Sequence, residues 1–199
     1  MMTAAEKLKH VAVDDYLAGE ATARAKHEYL GGYVYAMAGG SNSHNRISTN
    51  TTIALGSRLK GQLCQPYNSD TKLRVQLPTH TRFYYPDVSV VCESNPPDEA
   101  FQDQPVVIVE VLSRDTRRID ETEKKEAYLS IPSLKAYLLV EQALAEVTVH
   151  RRSQQGFASE VYSGMNATIP LPEIQAELPL TEVYAGVKFV PEQTDDELT

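Results

Sequence analysis

A seven-residue run from Val106 to Leu112 reads VVIVEVL and constrains the fold more than any other segment of the chain. Near-continuous β-branched runs of this kind fill strands that are buried on both faces of a sheet. Glu110 lies inside the run, and a carboxylate in the core of a strand is costly unless a base, a shared proton or a divalent cation satisfies it. The run therefore predicts a covered sheet and, at Glu110, either a structural ion pair or a functional site.

The segments around this run predict a strand–helix–strand unit. Residues 113–129 have the polar character of a surface helix, with Ser113 or Asp115 as the N-cap. Residues 137–140 (YLLV) predict a further buried strand, and residues 82–91 (RFYYPDVSVV) predict one before the run. We therefore expect an α/β fold with a mixed β-sheet.

Weaker patterns complete the expected elements. Gly31-Gly32 at the centre of residues 26–38 signals an N-terminal β-hairpin. Apolar residues recur at helical spacing after a turn at residues 39–43 and predict a helix over residues 43–61. The remaining expectations are a short helix at 13–17, strands at 64–67, 72–77, 146–151 and 159–162, and a proline-rich closing loop.

Length and charge fit one domain over residues 1–199. Nineteen Lys and Arg face twenty-seven Asp and Glu, so the formal net charge is −8, which argues against a protein that coats nucleic acid by charge alone. Half of that charge lies in residues 191–199, which carry four carboxylates and no base and predict a flexible acidic tail. A local patch for nucleic acid stays open.

Several classes of protein are excluded by what the sequence lacks. No segment approaches the roughly 18 apolar residues of a membrane span, and the N-terminus lacks the apolar core of a signal peptide. The only cysteines, Cys64 and Cys92, form no CxxC pair, so we expect two free thiols in a reducing cytoplasm. No GxGxxG, GxxxxGK[ST] or GxSxG motif is present.

A second carboxylate can join Glu110. Asp87 follows Pro86, which cannot donate to a strand ladder and so belongs at a strand start or a bulge. If the two strands are neighbours, Asp87 and Glu110 converge. Two carboxylates with water and a backbone carbonyl suit a hard cation such as Mg²⁺, which activates water for phosphodiester hydrolysis. The alternative is a buried pair that a base satisfies.

Three segments carry a resemblance to a known family. They read HEYLGGYVYAMAGGSNSHNRIS (27–48), YYPDVSVVCE (84–93) and VVIVEVLSRDTRRIDETEKKEAYLSIPSLKAYLLVEQ (106–142). In these segments the chain resembles the Uma-type putative restriction endonuclease family of the PD-(D/E)XK nuclease superfamily. The resemblance covers most of the chain and implies a restriction-endonuclease-like mixed sheet flanked by helices.

The resemblance also implies an activity and its residues. It implies hydrolysis of DNA with Mg²⁺ or Mn²⁺, with Asp87, Glu110 and the carbonyl of Val111 as metal ligands. The superfamily pattern has a lysine two positions after the second acid, but this chain has Leu112 there. In this family the lysine role moves to the next helix, where Lys124 matches. The competing interpretation is that Lys124 only forms an i,i+4 salt bridge with Asp120.

Other residues match the family less specifically. Glu28, His44, Asp70 and Tyr128 are candidates to support the site, and three arginines are candidates to contact phosphate: Arg114, Arg117 and Arg118. The expected partner is DNA. A homodimer, formed through residues 146–151 or the hairpin, is compatible with the pattern. The alternative function is a catalytically inactive nuclease-fold module that binds nucleic acid or protein, which the missing strand lysine and the acidic charge favour.

Overall fold

The computed structural model describes residues 10–37 and 39–189, and its centre is a six-stranded mixed sheet. Two central strands, β8 (Pro105–Val111) and β9 (Ala136–Val140), are parallel and are joined by a helical crossover, while the other neighbours are antiparallel. The predicted strand–helix–strand unit and the mixed α/β class are therefore confirmed. In order across the sheet the strands are β11 (Gly156–Ser163), β10 (Glu146–Ser153), β9 (Ala136–Val140), β8 (Pro105–Val111), β6 (Val88–Val91) and β3 (Gln65–Asn68).

A five-stranded sheet lies beside the central one and begins with the predicted hairpin. Gly31 and Gly32 adopt positive φ angles of 58° and 105° in its turn, which glycine does without steric cost. Helix α1 (Val13–Glu20) packs on this sheet through Tyr16, whose ring lies 5.0 Å from that of Tyr29. The strand order is β2 (Tyr33–Ala36), β1 (His27–Leu30), β5 (Thr81–Tyr84), β4 (Lys72–Gln76) and β7 (Phe101–Gln102).

The single strand expected over residues 82–91 is wrong. Strand β5 ends at Tyr84 in the five-stranded sheet, and β6 begins at Val88 in the six-stranded sheet. Pro86 lies between them and has no N–H to continue a ladder, so the chain leaves one sheet there and enters the other. Asp87 consequently stands at the crossing point between the two sheets.

Strand β8 separates two hydrophobic clusters. Val107, Val109 and Val111 face the cluster that contains helix α2 (Asn42–Leu59). Ile108 faces the second cluster, which includes residues of both large sheets and of the crossover helix. Because side chains alternate along a strand, Glu110 points toward this second cluster, between the two sheets.

The crossover helix differs from the helix expected over residues 113–129. It begins at Arg117 with α3 (Arg117–Ile119), passes through a π-helical turn (Asp120–Lys124) and ends with α4 (Lys125–Leu129). The Ser113 hydroxyl accepts a hydrogen bond from the Thr116 N–H at 3.2 Å. Ser113 therefore stabilises the turn that precedes the helix and does not cap the helix itself. π-Helical turns inside helices are frequent at functional sites.

The closing segment contains more structure than the predicted proline-rich loop. It forms β12 (Thr168–Leu171), a 3₁₀ turn (Pro172–Ile174), β13 (Ala176–Pro179) and α5 (Leu180–Val183). Leu178, Leu180 and Val183 are fully buried in the cluster around α2. A short alternating pattern with two prolines is a weak strand signal, and its burial against α2 stabilises the pairing.

Three further expectations concern the termini, the cysteines and the membrane. The predicted acidic tail, residues 191–199, lies outside the described residues. Cys64 and Cys92 form a disulfide, so the expectation of free thiols is wrong: Gln65 pairs with Val91, and this register brings the two flanking cysteines together. Across residues 10–37 and 39–189, no helix is both long and apolar enough to span a membrane.

Candidate active site

Glu110 is a buried carboxylate with three polar contacts. The Tyr128 hydroxyl donates to its Oε1 at 3.1 Å, and the Lys124 ammonium lies 3.4 Å from the same oxygen. The backbone N–H of Asp87 donates to Oε2 at 3.2 Å. Burial raises the pKa of Glu110 well above its usual value; the charges of neighbouring carboxylates add to this and the Lys124 charge opposes it.

Asp87 and Glu110 interlock at neighbouring positions of β6 and β8. Val88 pairs with Val109 in this antiparallel ladder, so Asp87, just before β6, stands opposite Glu110 at the same end of the ladder. Asp87 Oδ2 accepts a hydrogen bond from the Val111 N–H at 2.8 Å, while the Asp87 N–H binds Glu110. The structure therefore brings the two carboxylates together, as expected for neighbouring strands. The contact of Val111 seen here is made by its N–H, whereas the family resemblance concerns its carbonyl.

His44 reaches Asp87 from the first turn of α2. Ser41 caps this helix by accepting a hydrogen bond from the His44 N–H at 3.1 Å. The His44 Nε2 lies 2.7 Å from Asp87 Oδ1, and its Nδ1 is buried without a hydrogen-bond partner. His44 thus orients one oxygen of Asp87 and the Val111 N–H orients the other.

Lys124 lies at the centre of three carboxylates. Its ammonium is 3.0 Å from Glu28 Oε1, 3.4 Å from Glu110 Oε1 and 3.5 Å from Asp120 Oδ1. Although burial alone would lower the pKa of Lys124, these charges raise it well above its usual value, so the lysine is held as the cation. The salt bridge to Asp120 is present, but on a lysine side chain that is 8% exposed rather than on a solvated helix face.

Glu28 comes from the other sheet, so this cluster joins the two sheets. Glu28 Oε1 and Asp120 Oδ1 are buried without a well-directed hydrogen bond, and each lies within salt-bridge distance of the Lys124 ammonium. We name Asp87, Glu110, Asp120, Glu28 and Lys124 the carboxylate cluster. The sequence suggests Asp120 only as a salt-bridge partner of Lys124. Its i,i+4 spacing from that lysine is the signal that could place it in the carboxylate cluster.

The carboxylate cluster opens into a cleft of about 800 Å³. Lys26 and Tyr85 line one part of the cleft, and Ser113 and Arg114 line another. His44 and Val111 also line it, so Asp87 and its two orienting groups face the open volume. The cleft offers basic and hydrogen-bonding groups beside a buried acidic centre.

The other candidate residues take different places. Arg117 forms two hydrogen bonds with Glu141, at 2.7 and 2.6 Å, whereas Arg118 is exposed. Asp70 is exposed and pairs with Lys26 at 2.8 Å, outside the carboxylate cluster, and this lysine lowers the pKa of Asp70. Strand β10, proposed as a dimer contact, is paired on both sides within the chain, while β2 is an edge strand.

The chemistry of the cluster fits a hard divalent cation. Carboxylate oxygens such as those of Asp87 and Glu110 are the ligands that Mg²⁺ prefers. Two further carboxylate oxygens, on Glu28 and Asp120, are buried without directed hydrogen bonds around the Lys124 ammonium. Within residues 10–37 and 39–189, no three His, Cys, Asp or Glu side chains already converge as a metal site. In this arrangement the cation that the carboxylates share is the Lys124 ammonium.

Comparison with known proteins identifies the family of the chain. The family described as "Uma2: Putative restriction endonuclease" matches residues 13–181, which confirms the resemblance drawn from the sequence. Two proteins of Synechocystis, both named as uncharacterised, are similar to the chain. The protein slr1290 is 32% identical over 177 residues, 88% of this chain and 92% of its own length. The protein sll1609 is 30% identical over 164 residues, 78% of this chain and 89% of its own length.

A solved structure from Anabaena variabilis, described as a putative nuclease, matches the fold. It has a TM-score of 0.70 and 17% sequence identity, and the match covers 89% of this chain and 99% of that chain. At this identity the match speaks for the fold alone, and it confirms the predicted restriction-endonuclease-like architecture.

Proposed function

The chain belongs to the Uma2 family of putative restriction endonucleases, and from this membership and its cleft we propose that it is a divalent-metal-dependent endonuclease that hydrolyses DNA. One observation carries the proposal: Asp87 and Glu110 interlock in the lining of the cleft, and the Lys124 ammonium lies 3.4 Å from Glu110. Two acids and a lysine so arranged are the groups that phosphodiester hydrolysis needs.

The proposed reaction assigns roles to the metal ligands and to Lys124. Asp87, Glu110 and the Val111 carbonyl would hold Mg²⁺ or Mn²⁺, which would lower the pKa of its water and neutralise charge on the phosphate. Lys124 orients the attacking water and stabilises the charge that develops on the phosphate oxygens. The products carry a 5′-phosphate and a 3′-hydroxyl.

The supporting residues keep these groups in position. Glu28 is closer to the Lys124 ammonium than Glu110 is, at 3.0 against 3.4 Å, so Lys124 stays anchored when Glu110 engages a cation. Tyr128 donates to Glu110, and His44 holds Asp87. Arg114 lines the cleft and is placed to contact DNA phosphate.

Cleavage of supercoiled plasmid tests the proposal. The wild-type protein should nick DNA with Mg²⁺ or Mn²⁺ and stop when EDTA is added. Glu110→Gln and Asp87→Asn should reduce cleavage to background, because each removes a charged ligand. Glu20→Gln is the matched control, since Glu20 is a nearly buried carboxylate that belongs to neither the cluster nor the lining of the cleft. Cleavage retained in Glu110→Gln would contradict the site.

A second candidate is a nuclease-fold module without catalysis that binds nucleic acid or protein. The observation that favours it is Lys124 itself, whose ammonium is already shared by three carboxylates. Calorimetry with Mn²⁺ separates the two candidates. A protein that neither binds Mn²⁺ nor cleaves is the module, whereas Mn²⁺ binding that requires Glu110 belongs to the nuclease.

A further inference from the structure

Two tyrosines of the hairpin differ from the others in the chain. Seven of the eleven tyrosines are at most 4% exposed, but Tyr33 and Tyr35 are 40% and 42% exposed. Both lie on β2, which is the edge strand of its sheet. Their side chains project to the same face, about 7 Å apart along the strand, because side chains alternate with a period of two.

The register of the hairpin places these rings on the face of the carboxylate cluster. Tyr35 pairs directly with Glu28, and Tyr33 pairs with Leu30. Directly opposed residues of antiparallel strands project to the same side of the sheet. Because Glu28 contacts Lys124 on that side, both tyrosines lie on the side of the proposed reaction centre.

The same face continues into the cleft at the open end of the hairpin. Met37 follows Tyr35 by two residues, and its N–H binds the carbonyl of Lys26 at 2.9 Å. Met37 and Lys26 both line the cleft. The face that carries the exposed rings therefore leads, two residues beyond Tyr35, to the cleft wall at Met37. It lies at the edge of the sheet, where β2 has no second strand partner among the described residues.

We propose that Tyr33 and Tyr35 form a stacking platform for the unpaired bases of single-stranded DNA that enters the cleft; this proposal rests on the proposed nuclease function. Aromatic side chains stack on bases of any sequence, and this requires bases whose faces are not covered by a duplex. The net charge of −8 limits what phosphate attraction can supply, so base stacking on Tyr33 and Tyr35 adds affinity to the phosphate contact proposed for Arg114.

Binding of labelled oligonucleotides in EDTA, followed by fluorescence anisotropy, tests the platform without cleavage. Three probes are compared: a single strand of about 12 nucleotides, the duplex of the same sequence, and an abasic strand with the same phosphates. Wild type should prefer the single strand. Tyr33→Leu and Tyr35→Leu should each weaken that binding about tenfold and leave the abasic strand unchanged.

Tyr162→Leu is the control, because Tyr162 lies on β11 in the other sheet. The platform is overturned if wild type binds no single strand, if it binds the abasic strand equally well, or if Tyr162→Leu causes the same loss. It is also overturned if Tyr35→Leu changes the molecular mass in solution instead of the affinity, since β2 would then be a contact between two copies.

The plasmid assay keeps this proposal separate from the proposed function. Metal-dependent cleavage with no effect of the tyrosine variants on binding would retain the nuclease and reject the platform. Tyrosine-dependent binding of the single strand without any cleavage would support the platform and reject the nuclease.

Discussion

Glu20 and Glu110 are two carboxylates in different regions of the molecule with nearly the same burial and opposite electrostatics. Their side chains are 5% and 4% exposed, and each accepts a hydrogen bond from a tyrosine. Yet the pKa of Glu20 is lowered and the pKa of Glu110 is raised well above its usual value. Burial alone therefore does not distinguish a structural carboxylate from one in a site.

Part of the difference is depth, because burial is the largest cause of the raised pKa of Glu110. The rest lies in the neighbouring groups of the two carboxylates. Glu20 accepts from the His27 N–H at 2.9 Å, from His27 Nδ1 at 3.0 Å and from the Tyr85 hydroxyl at 2.7 Å. These hydrogen bonds outweigh burial and stabilise the ionised form. Glu110 faces three further carboxylates with one lysine between them. Crowded carboxylates that lack enough donors favour the binding of a cation, whereas satisfied carboxylates only stabilise the fold.

The largest expected effect comes from removing the lysine of the crowded region. Lys124→Met leaves Glu28, Glu110 and Asp120 without their shared cation, and should lower the free energy of unfolding by about 3–5 kcal/mol. Urea denaturation at neutral pH measures it. Lys72→Met is the matched control near Glu20: Lys72 is also buried, but it makes no salt bridge with the described residues, so the loss should stay within about 1 kcal/mol. An equal loss of unfolding free energy in the two variants would show that Lys124 is no more important to stability than Lys72.

Metal binding should distinguish Glu110 from Glu20, with the next largest expected effect. Mn²⁺ at a hundred times its dissociation constant should raise the free energy of unfolding of the wild type by about 2.7 kcal/mol. Glu20→Gln should keep this stabilisation, and Glu110→Gln should lose it, because only Glu110 is a proposed ligand. Thermal unfolding with and without the metal gives the measurement. Stabilisation of Glu110→Gln by Mn²⁺ would place the metal elsewhere.

The two glutamate-to-glutamine variants should also differ in stability without metal. Glu20→Gln should lower the free energy of unfolding by about 1–2 kcal/mol, because the charged acceptor of three hydrogen bonds is lost. Glu110→Gln should leave it unchanged or raise it by up to about 1 kcal/mol, because a crowded charge is removed. Urea titrations in EDTA at pH 8 compare them, and a shared direction would show that both glutamates are structural.

The smallest effect concerns pH. The raised pKa of Glu110 means that its contribution is complete below the unfolded value near 4.5 and declines as pH rises through its folded value. The lowered pKa of Glu20 means that its contribution is complete above about 4.5 and declines as pH falls through its folded value. The stability of wild type relative to Glu110→Gln should therefore fall with rising pH, and relative to Glu20→Gln it should fall below pH 4.5. Unfolding in EDTA from pH 3 to 8 checks both slopes.

Part of the site could be predicted because its signals are local. A carboxylate inside VVIVEVL and a Pro-Asp pair before VSVV mark Glu110 and Asp87, and the pairing of β6 with β8 brings them together. The position of Lys124 could not be derived from spacing, because an i,i+4 pair with Asp120 fits an exposed helix equally well. Its burial depends on the π-helical turn and on Glu28 from the other sheet.

The wrong predictions of strands, loops and free thiols share one physical cause, which is contact between residues distant in the sequence. The strand expected over 82–91 is divided because Tyr84 and Val88 find partners in different sheets. The closing segment forms strands because it packs on α2. The cysteines pair because β3 and β6 are neighbours, although 28 residues separate them.

Local patterns in the sequence were enough to predict the mixed α/β class, the hairpin and the family resemblance, and to propose the two acids of the site. Apolar periodicity, glycine turns and a charge within an apolar run are signals that act over a few residues. Which carboxylates share Lys124, and which tyrosines remain exposed beside them, depends on the tertiary structure. Those choices depend on how two sheets and one helix pack together, and the free energy of that packing is not contained in any local segment.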